Sequence, residues 1–246
     1  MRNDGTAWKV IVVEPCLSWL QEVRRADHAT LIQIGQAITA LAKGGPGLGR
    51  PLLNTVPGSR LPNLRELRSW PRGRAEVRLL LIVDPYRHAV FLAAGSKSGK
   101  WPNWRKTAIG QAENAYADYL RNERTGMSQP PGDGPAALSR DDAARSWDDL
   151  ATDFGFSAAE ERQISQGADQ LLGAVRARRL VAVRKRQNVT QVEVAAVLGV
   201  SQARVSRIEN GQLGRPEVDI LAAYVRALGG KLRVIADFGD EIYVLG

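Results

Sequence analysis

The sequence predicts a two-domain protein: an N-terminal α+β domain built on an antiparallel sheet, then an all-α helix-turn-helix domain ending in a β-hairpin. Three observations predict it. Strand-like and helical stretches follow one another as β-α-β-β-β-α over the first half, an order that suits an antiparallel sheet with helices on one face. Two short helical patterns meet at a Gly-containing turn near Gly199 in the second half. Charge is also divided into blocks, about +9 over Met1–Arg124, about −5 over Thr125–Arg162 and about +7 over Leu171–Pro216. Two basic modules thus flank an acidic connector. The 246 residues suffice for two domains with a core each. The expected division is residues 1–124, a connector over 125–166, and residues 167–246.

Composition removes several classes of function. With 44% apolar and 24% charged residues the chain is an ordinary globular one. No apolar run approaches the ~20 residues of a membrane span, and Met1-Arg2-Asn3-Asp4-Gly5 lacks the apolar core of a signal peptide. One cysteine, Cys16, allows no internal disulfide, and with only two histidines it cannot complete a structural zinc site. The expectation is a cytoplasmic protein with no membrane partner, no metal and no cofactor. A formal net charge of +8 points to a polyanionic partner.

The elements follow in order. Trp8–Val13 is rich in β-branched residues and reads as a strand. From Leu17 to Lys43 apolar residues recur at steps of three and four, which predicts helix, with a break near Asp27-His28 and a stop at Gly44-Gly45-Pro46-Gly47. Leu61–Arg68, Glu76–Val83 and Ala89–Gly95 are the next strands, with Asp84-Pro85-Tyr86-Arg87 turning between the last two. A helix from about Thr107 to Arg121 closes the module. Gln129–Pro135 is a linker by composition. Asp141–Thr152 and Ala158–Ser165 are short acidic helices, expected to pack on the first domain through Trp147 and Leu150, with Asp148, Asp149 and Asp153 near its basic surface. Leu171–Arg186 is a basic helix, Pro216–Leu228 a later one, and Lys231–Ala236 with Glu241–Leu245 the terminal hairpin.

Between these last helices lies the strongest motif. Thr190-Gln191-Val192-Glu193 has the capping-box pattern, in which Thr190 and Glu193 satisfy each other's free backbone N–H groups. Gly199-Val200 makes the turn and Ser201 caps the next helix. Val194, Ala195, Leu198, Val205 and Ile208 face inward, leaving Gln202, Ala203, Arg204, Ser206 and Arg207 outward. Gln and Arg read adenine and guanine edges bidentately in the major groove. Gln191, at a helix N-terminus, is placed to clamp a phosphate. The expected DNA contacts are therefore Gln191, Ser201, Gln202, Arg204, Ser206 and Arg207. The run from Thr190 to Gly211 resembles the Xre/Cro-type helix-turn-helix family. Leu228-Gly229-Gly230-Lys231-Leu232 and the hairpin after it look like HigA-type antitoxins. That resemblance implies a homodimer, formed through this domain, that represses its own operon at operator DNA.

The first module carries an ordered set of motifs: Gly47-Leu48-Gly49-Arg50-Pro51, Gly58-Ser59-Arg60, Asn63–Arg68, Val77–Leu80 and Gly95–Trp101. Together they resemble the phage-derived HigB branch of the RelE/ParE toxin superfamily. RelE-type members cut mRNA on the ribosome without metal, using the 2′-hydroxyl as nucleophile. Carried over by motif, the resemblance implies Arg68, Arg78 and Lys97 as catalytic residues, with Arg65, Lys100, Trp101 and Trp104 as RNA contacts. The chemistry fits those residue types. Guanidinium groups stabilise charge on phosphoryl oxygens, a lysine among cations serves as a proton donor, and indoles stack on bases.

Two rivals remain at this stage. One is a pure transcription regulator whose first domain has lost activity and serves as a protein-binding or oligomerisation module. Its basic cluster would then be a phosphate-contacting surface without catalysis, or plain salt bridges to Glu66 and Glu76. The other is a ParE-like gyrase inhibitor, since one fold serves both tasks. Gly45–Gly49 mimics a phosphate-binding loop but follows a helix and precedes Arg50-Pro51. Gly99-Lys100 mimics the end of a Walker loop but lacks its preceding glycine and following Ser/Thr, with Ala94 and Trp101 in those places.

Overall fold

The computed structural model describes residues 8–69, 76–84, 87–96, 101–127, 144–211, 218–237 and 242–245. Its backbone falls into two compact units, one of Ala7–Ala168 and one that includes Asp169–Gly246. No helix among the described residues is long and apolar enough to cross a membrane.

The first unit is organised by a six-stranded sheet. Its strands are β1 (Lys9–Val13), β2 (Leu53–Thr55), β3 (Arg65–Arg68), β4 (Val77–Val83), β5 (His88–Ser96) and β6 (Ala144–Ser146), in the order β2-β3-β4-β5-β1-β6. The sheet is mixed, not antiparallel as expected, because β1 runs parallel to β5. The other pairings are antiparallel. Chain order shows which strands follow one another, but the first and last strands of a meander meet only in space. Two strands went unread: β2 and β6, each three residues long.

Helices cover both faces, which also departs from the expectation. The cause is legible in β1 and β4, whose consecutive buried residues leave no polar face for solvent. On one face Ile11, Val13, Leu80, Ile82, Val90 and Leu92 pack with Ala108, Ala112, Ala115 and Tyr119 of α3 (Trp101–Met127). On the other face, α1 (Cys16–Ala26) and α2 (His28–Gly44) lie against β1, and α1 also against β5. That face presents the fully buried Val12, Leu79, Leu81 and Phe91. The break between α1 and α2 falls at Asp27, whose carboxylate accepts from the Thr30 amide at 3.0 Å and the Thr30 hydroxyl at 2.7 Å. Cys16 is buried in this core, and burial raises its thiol far above the usual range.

The acidic connector becomes part of this unit. β6 adds to the edge of β1, with Ile11 opposite Ser146 and Val13 opposite Ala144. Ser146 then caps α4 (Trp147–Phe154), which buries Trp147, Leu150 and Phe154. The first turns of α5 (Ala158–Arg186) lie along α2. Ile164 packs on Gly35, where an added Cβ would stand 3.2 Å from the Ile164 side chain. Gln36 donates to the Gln163 carbonyl at 3.3 Å, and Lys43 to the Ser165 hydroxyl at 3.3 Å. The His28 ring meets the Glu160 carboxylate at 2.8 Å. Asp153 pairs with Arg145 at 2.6 Å and Asp149 accepts from the Ser146 hydroxyl at 2.6 Å, so both find partners within the connector itself. Asp153 also shares a cavity with Arg24 and Arg25 of α1.

In the second unit the two helices expected at 158–165 and 171–186 are one continuous helix, α5, which also contributes its first turns to the first unit. Then come α6 (Gln191–Leu198), α7 (Gln202–Glu209) and α8 (Val218–Ala227). Their core is Val194, Ala195, Val205, Ile208, Tyr224 and Leu228, flanked by Leu180, Val183 and Ile220. β7 (Val234–Asp237) pairs antiparallel with β8 (Ile242–Leu245). The linker at 129–135 lies outside the described residues.

Candidate functional site

The second unit builds its candidate surface from two capped helices. Glu193 accepts from the Thr190 amide at 2.6 Å while the Thr190 hydroxyl oxygen accepts from the Glu193 amide at 3.2 Å, which starts α6. Gly199, at φ 64°, closes α6 in the left-handed region a glycine tolerates. Ser201 accepts from the Arg204 amide at 3.3 Å and starts α7. With Val205 and Ile208 buried, Gln202, Ala203, Arg204 and Arg207 are exposed, and Ser206 is half-buried and accepts from Asn210 at 3.3 Å.

Gln191, the expected phosphate clamp, also makes two hydrogen bonds within the domain. Its amide nitrogen donates to Glu209 at 2.8 Å, and its amide oxygen accepts from Gln202 at 2.6 Å. Glu209 is 6% exposed and also accepts from Arg184 at 2.5 and 3.0 Å and from the Tyr224 hydroxyl at 2.5 Å. Burial pushes the Glu209 carboxyl up, but the bonds from Arg184, Tyr224 and Gln191 outweigh it and hold the group below the usual carboxylate range. Burial, then the bond to Glu209, drives the Tyr224 hydroxyl well above its ordinary value. A buried carboxylate thus fixes Gln191, and Gln191 fixes the exposed Gln202. Sequence reading missed Arg184, Glu209 and Tyr224 as a set. They lie on three helices, and only their position in the fold joins them.

In the first unit Arg68 on β3 and Arg78 on β4 are directly opposite cross-strand partners. Between them lies Glu66, 5% exposed, accepting from Arg68 Nε at 2.6 Å and standing 3.5 Å from Arg78 Nε. Glu76 accepts from Arg78 at 3.3 Å. Arg68 keeps 43% of its side chain exposed against 9% for Arg78. Burial, followed by the neighbouring Arg68 charge, lowers the Arg78 guanidinium, with Glu66 and Glu76 opposing. Gly95 of β5 stands opposite Arg78. A Cβ there would lie 2.2 Å from the Trp104 indole nitrogen, so a glycine is needed for Trp104 to lie over the sheet beside this arginine.

Not every expected residue joins this cluster. Strand alternation turns Arg65 to the opposite face, where it donates to Thr55 at 3.3 Å. Lys97 and Lys100 lie outside the described residues, as does the side chain of Trp101, whose backbone begins α3. Glu66, named from sequence only as a salt-bridge partner, is the buried centre of the site.

Comparisons with known proteins divide at the same place. Residues 21–117 match the family model of phage-derived Gp49-like proteins, and residues 180–235 match a helix-turn-helix family. Similar proteins include several from Mycobacterium tuberculosis. The one named toxin HigB2 is 41% identical over 117 residues, covering 48% of this chain and 56% of that one. The chain therefore spans little more than half the length of that relative. The one named toxin HigB3 is 38% identical over 117 residues, covering 48% of this chain and 97% of its own length. The one named antitoxin HigA3 is 43% identical over 100 residues, covering 40% of this chain and 92% of its own.

Proposed function

The chain belongs to the HigB/HigA toxin–antitoxin family, with a Gp49-like toxin half and a helix-turn-helix antitoxin half in one polypeptide, and we propose that each half keeps its own activity. The first unit is a metal-independent endoribonuclease of the cytoplasm that cuts mRNA on the ribosome. The second binds a palindromic operator as a homodimer and represses its own promoter. Residues 144–168 restrain the toxin.

One observation carries the toxin reading: the cross-strand Arg68–Arg78 pair, engaged by the buried Glu66, with Trp104 beside it. In the reaction the 2′-hydroxyl oxygen, giving up its proton to water, attacks the adjacent phosphorus and the P–O5′ bond breaks, leaving a 2′,3′-cyclic phosphate and a free 5′-hydroxyl. Negative charge grows on the phosphoryl oxygens, which Arg68 and Arg78 stabilise. Lys97 donates the proton that the 5′-oxygen takes up. Losing one such electrostatic stabiliser slows a reaction by roughly a hundredfold or more. The test is expression of Met1–Gly126 alone, with Arg68→Ala and Arg78→Ala beside it. Arrest of translation by the parent fragment, relieved in both variants, is the expected result.

Glu66 also favours a second reading, since it already engages both guanidinium groups. Here the first unit is an inactive protein-binding module and the chain a regulator alone. A harmless Met1–Gly126 fragment that leaves translated mRNA intact selects this reading.

A further inference from the structure

We propose that a cavity between α1 and the connector binds a small phosphate monoester, and that the bound ligand tightens the connector's hold on the first unit. The cavity holds about 420 Å³, inside the roughly 300–1,000 Å³ range of small-molecule sites. One wall is α1, with Gln21 and, in its last turn, Arg24 and Arg25. The other is the connector, with Arg145 of β6 and with Leu150, Asp153 and Phe154 of α4. This is not the Arg68–Arg78 site, which has Trp104 of α3 beside it, for α1 packs on the sheet face opposite α3.

Three guanidinium groups line this cavity against one carboxylate, and that carboxylate is taken: Asp153 pairs with Arg145 at 2.6 Å. Arg24 lies over the Phe154 ring, its guanidinium carbon 5.6 Å from the ring centroid. Neither Arg24 nor Arg25 has an ion-pair partner among the described residues. Basic side chains in a last helical turn complement the helix dipole, which accounts for Arg24 and Arg25 at the end of α1. It does not account for a third arginine brought to the same opening by β6. Like charges gathered there repel, and an anion bound among them replaces repulsion with attraction. Guanidinium forks match phosphate oxygens, and a monoester carries more negative charge near neutral pH than a diester. A bare phosphate ion would leave most of the cavity empty, whereas the Gln21 amide and the apolar Leu150 and Phe154 suit an ester with an organic body. With Arg24 and Arg25 on α1 and Arg145 on the connector, a ligand held by both walls binds only the docked form and so stabilises it. Any bearing of the ligand on toxicity rests on the reading above in which residues 144–168 restrain the toxin.

The test titrates the full chain with adenosine 5′-monophosphate by calorimetry and reads amide hydrogen exchange over residues 144–154 by mass spectrometry. Saturable binding with a millimolar or tighter Kd is expected. At a ligand concentration ten times that Kd the docked form gains about elevenfold, so amides of β6 and α4 that exchange by undocking should slow by about that factor. Arg24→Gln and Arg25→Gln should each weaken binding at least tenfold and remove the slowing. Arg25→Gln touches no ring and should leave the thermal midpoint unchanged, which separates lost binding from lost folding. Arg68→Gln, in the other arginine site, should bind as the parent does. Inorganic phosphate should bind at least tenfold more weakly than the monoester. No saturable binding, parent-like binding by both α1 variants, or unchanged exchange at saturation would each overturn the proposal. So would displacement of the nucleotide by an RNA oligonucleotide with a 5′-hydroxyl, which carries diesters alone. Neither readout involves RNA cleavage or toxicity, so these failures leave the ribonuclease reading where it stands, and a harmless Met1–Gly126 fragment leaves the cavity's assignment intact.

Discussion

At the scale of single residues, the hydrogen bond from Gln202 to Gln191 changes what a mutation should do. Read as a phosphate clamp, Gln191 would supply affinity without sequence preference. Held between Glu209 and Gln202, it sets the direction of the Gln202 amide as well. Gln202→Ala should cost on the order of 1–3 kcal/mol at one base position and relax the preference there. Gln191→Ala should relax preference at that same position, which operator variants in a binding titration would show. Retained selectivity in Gln191→Ala would return that residue to the phosphate backbone. Acid should act through Glu209. Its folded pKa lies below the ordinary carboxylate value, so its contribution is complete above about pH 4.3 and is lost as pH falls through the lower folded value. Thermal midpoints of the second unit should therefore drop in acid, and Glu209→Gln should flatten that slope from a lower starting stability. The sequence made the individual helix-face residues legible because a 3.6-residue period separates inward from outward positions. It could not show Glu66 gathering two arginines, because that depends on strand register.

Elements were legible where the pattern is local. The capping box at Thr190, the turn at Gly199 and the cap at Ser201 each follow from a few adjacent residues, and each is made in the structure. What escaped is pairing at a distance: β1 beside β5, and β6 recruited from more than a hundred residues downstream onto the β1 edge. The β6 strand, α4 and the start of α5 together cover the β1 edge and one side of α2. Met1–Gly126 lacks all three, while Met1–Ala168 keeps them. The longer fragment is expected to be far less toxic than the shorter one when both are expressed equally. Trp147→Ala with Leu150→Ala in the longer fragment should restore toxicity, since truncating buried side chains of this size costs roughly 2–5 kcal/mol each. Equal toxicity of the two fragments would remove the connector from any restraining role.

At the scale of the whole molecule, the charge blocks suggested that the connector is held by attraction between acidic and basic surfaces. Of the connector's acidic residues, Glu160 meets His28 of α2 and Asp153 lines a cavity with Arg24 and Arg25, but other contacts are local. Asp153 pairs with Arg145 and Asp149 with Ser146, while the grip comes from the β6 ladder and from Trp147, Leu150, Phe154 and Ile164. This reverses an expected salt dependence. Cutting the chain at Gly132–Gly134 leaves residues 144–168 joined to the first 127 only by those noncovalent contacts. An electrostatic grip would weaken as the Debye length shrinks from about 10 Å at 0.1 M salt to about 3 Å at 1 M. A β-ladder over an apolar anchor set should not, because burial of apolar surface does not depend on charge screening. The cleaved halves are therefore expected to co-elute in size-exclusion chromatography at both salt concentrations and to separate only in denaturant. Operator binding by the same cleaved protein should fall steeply over that range, since neutralising phosphates with Arg and Lys releases counterions. Halves that part at 1 M salt would return the connector to the role its net charge first implied.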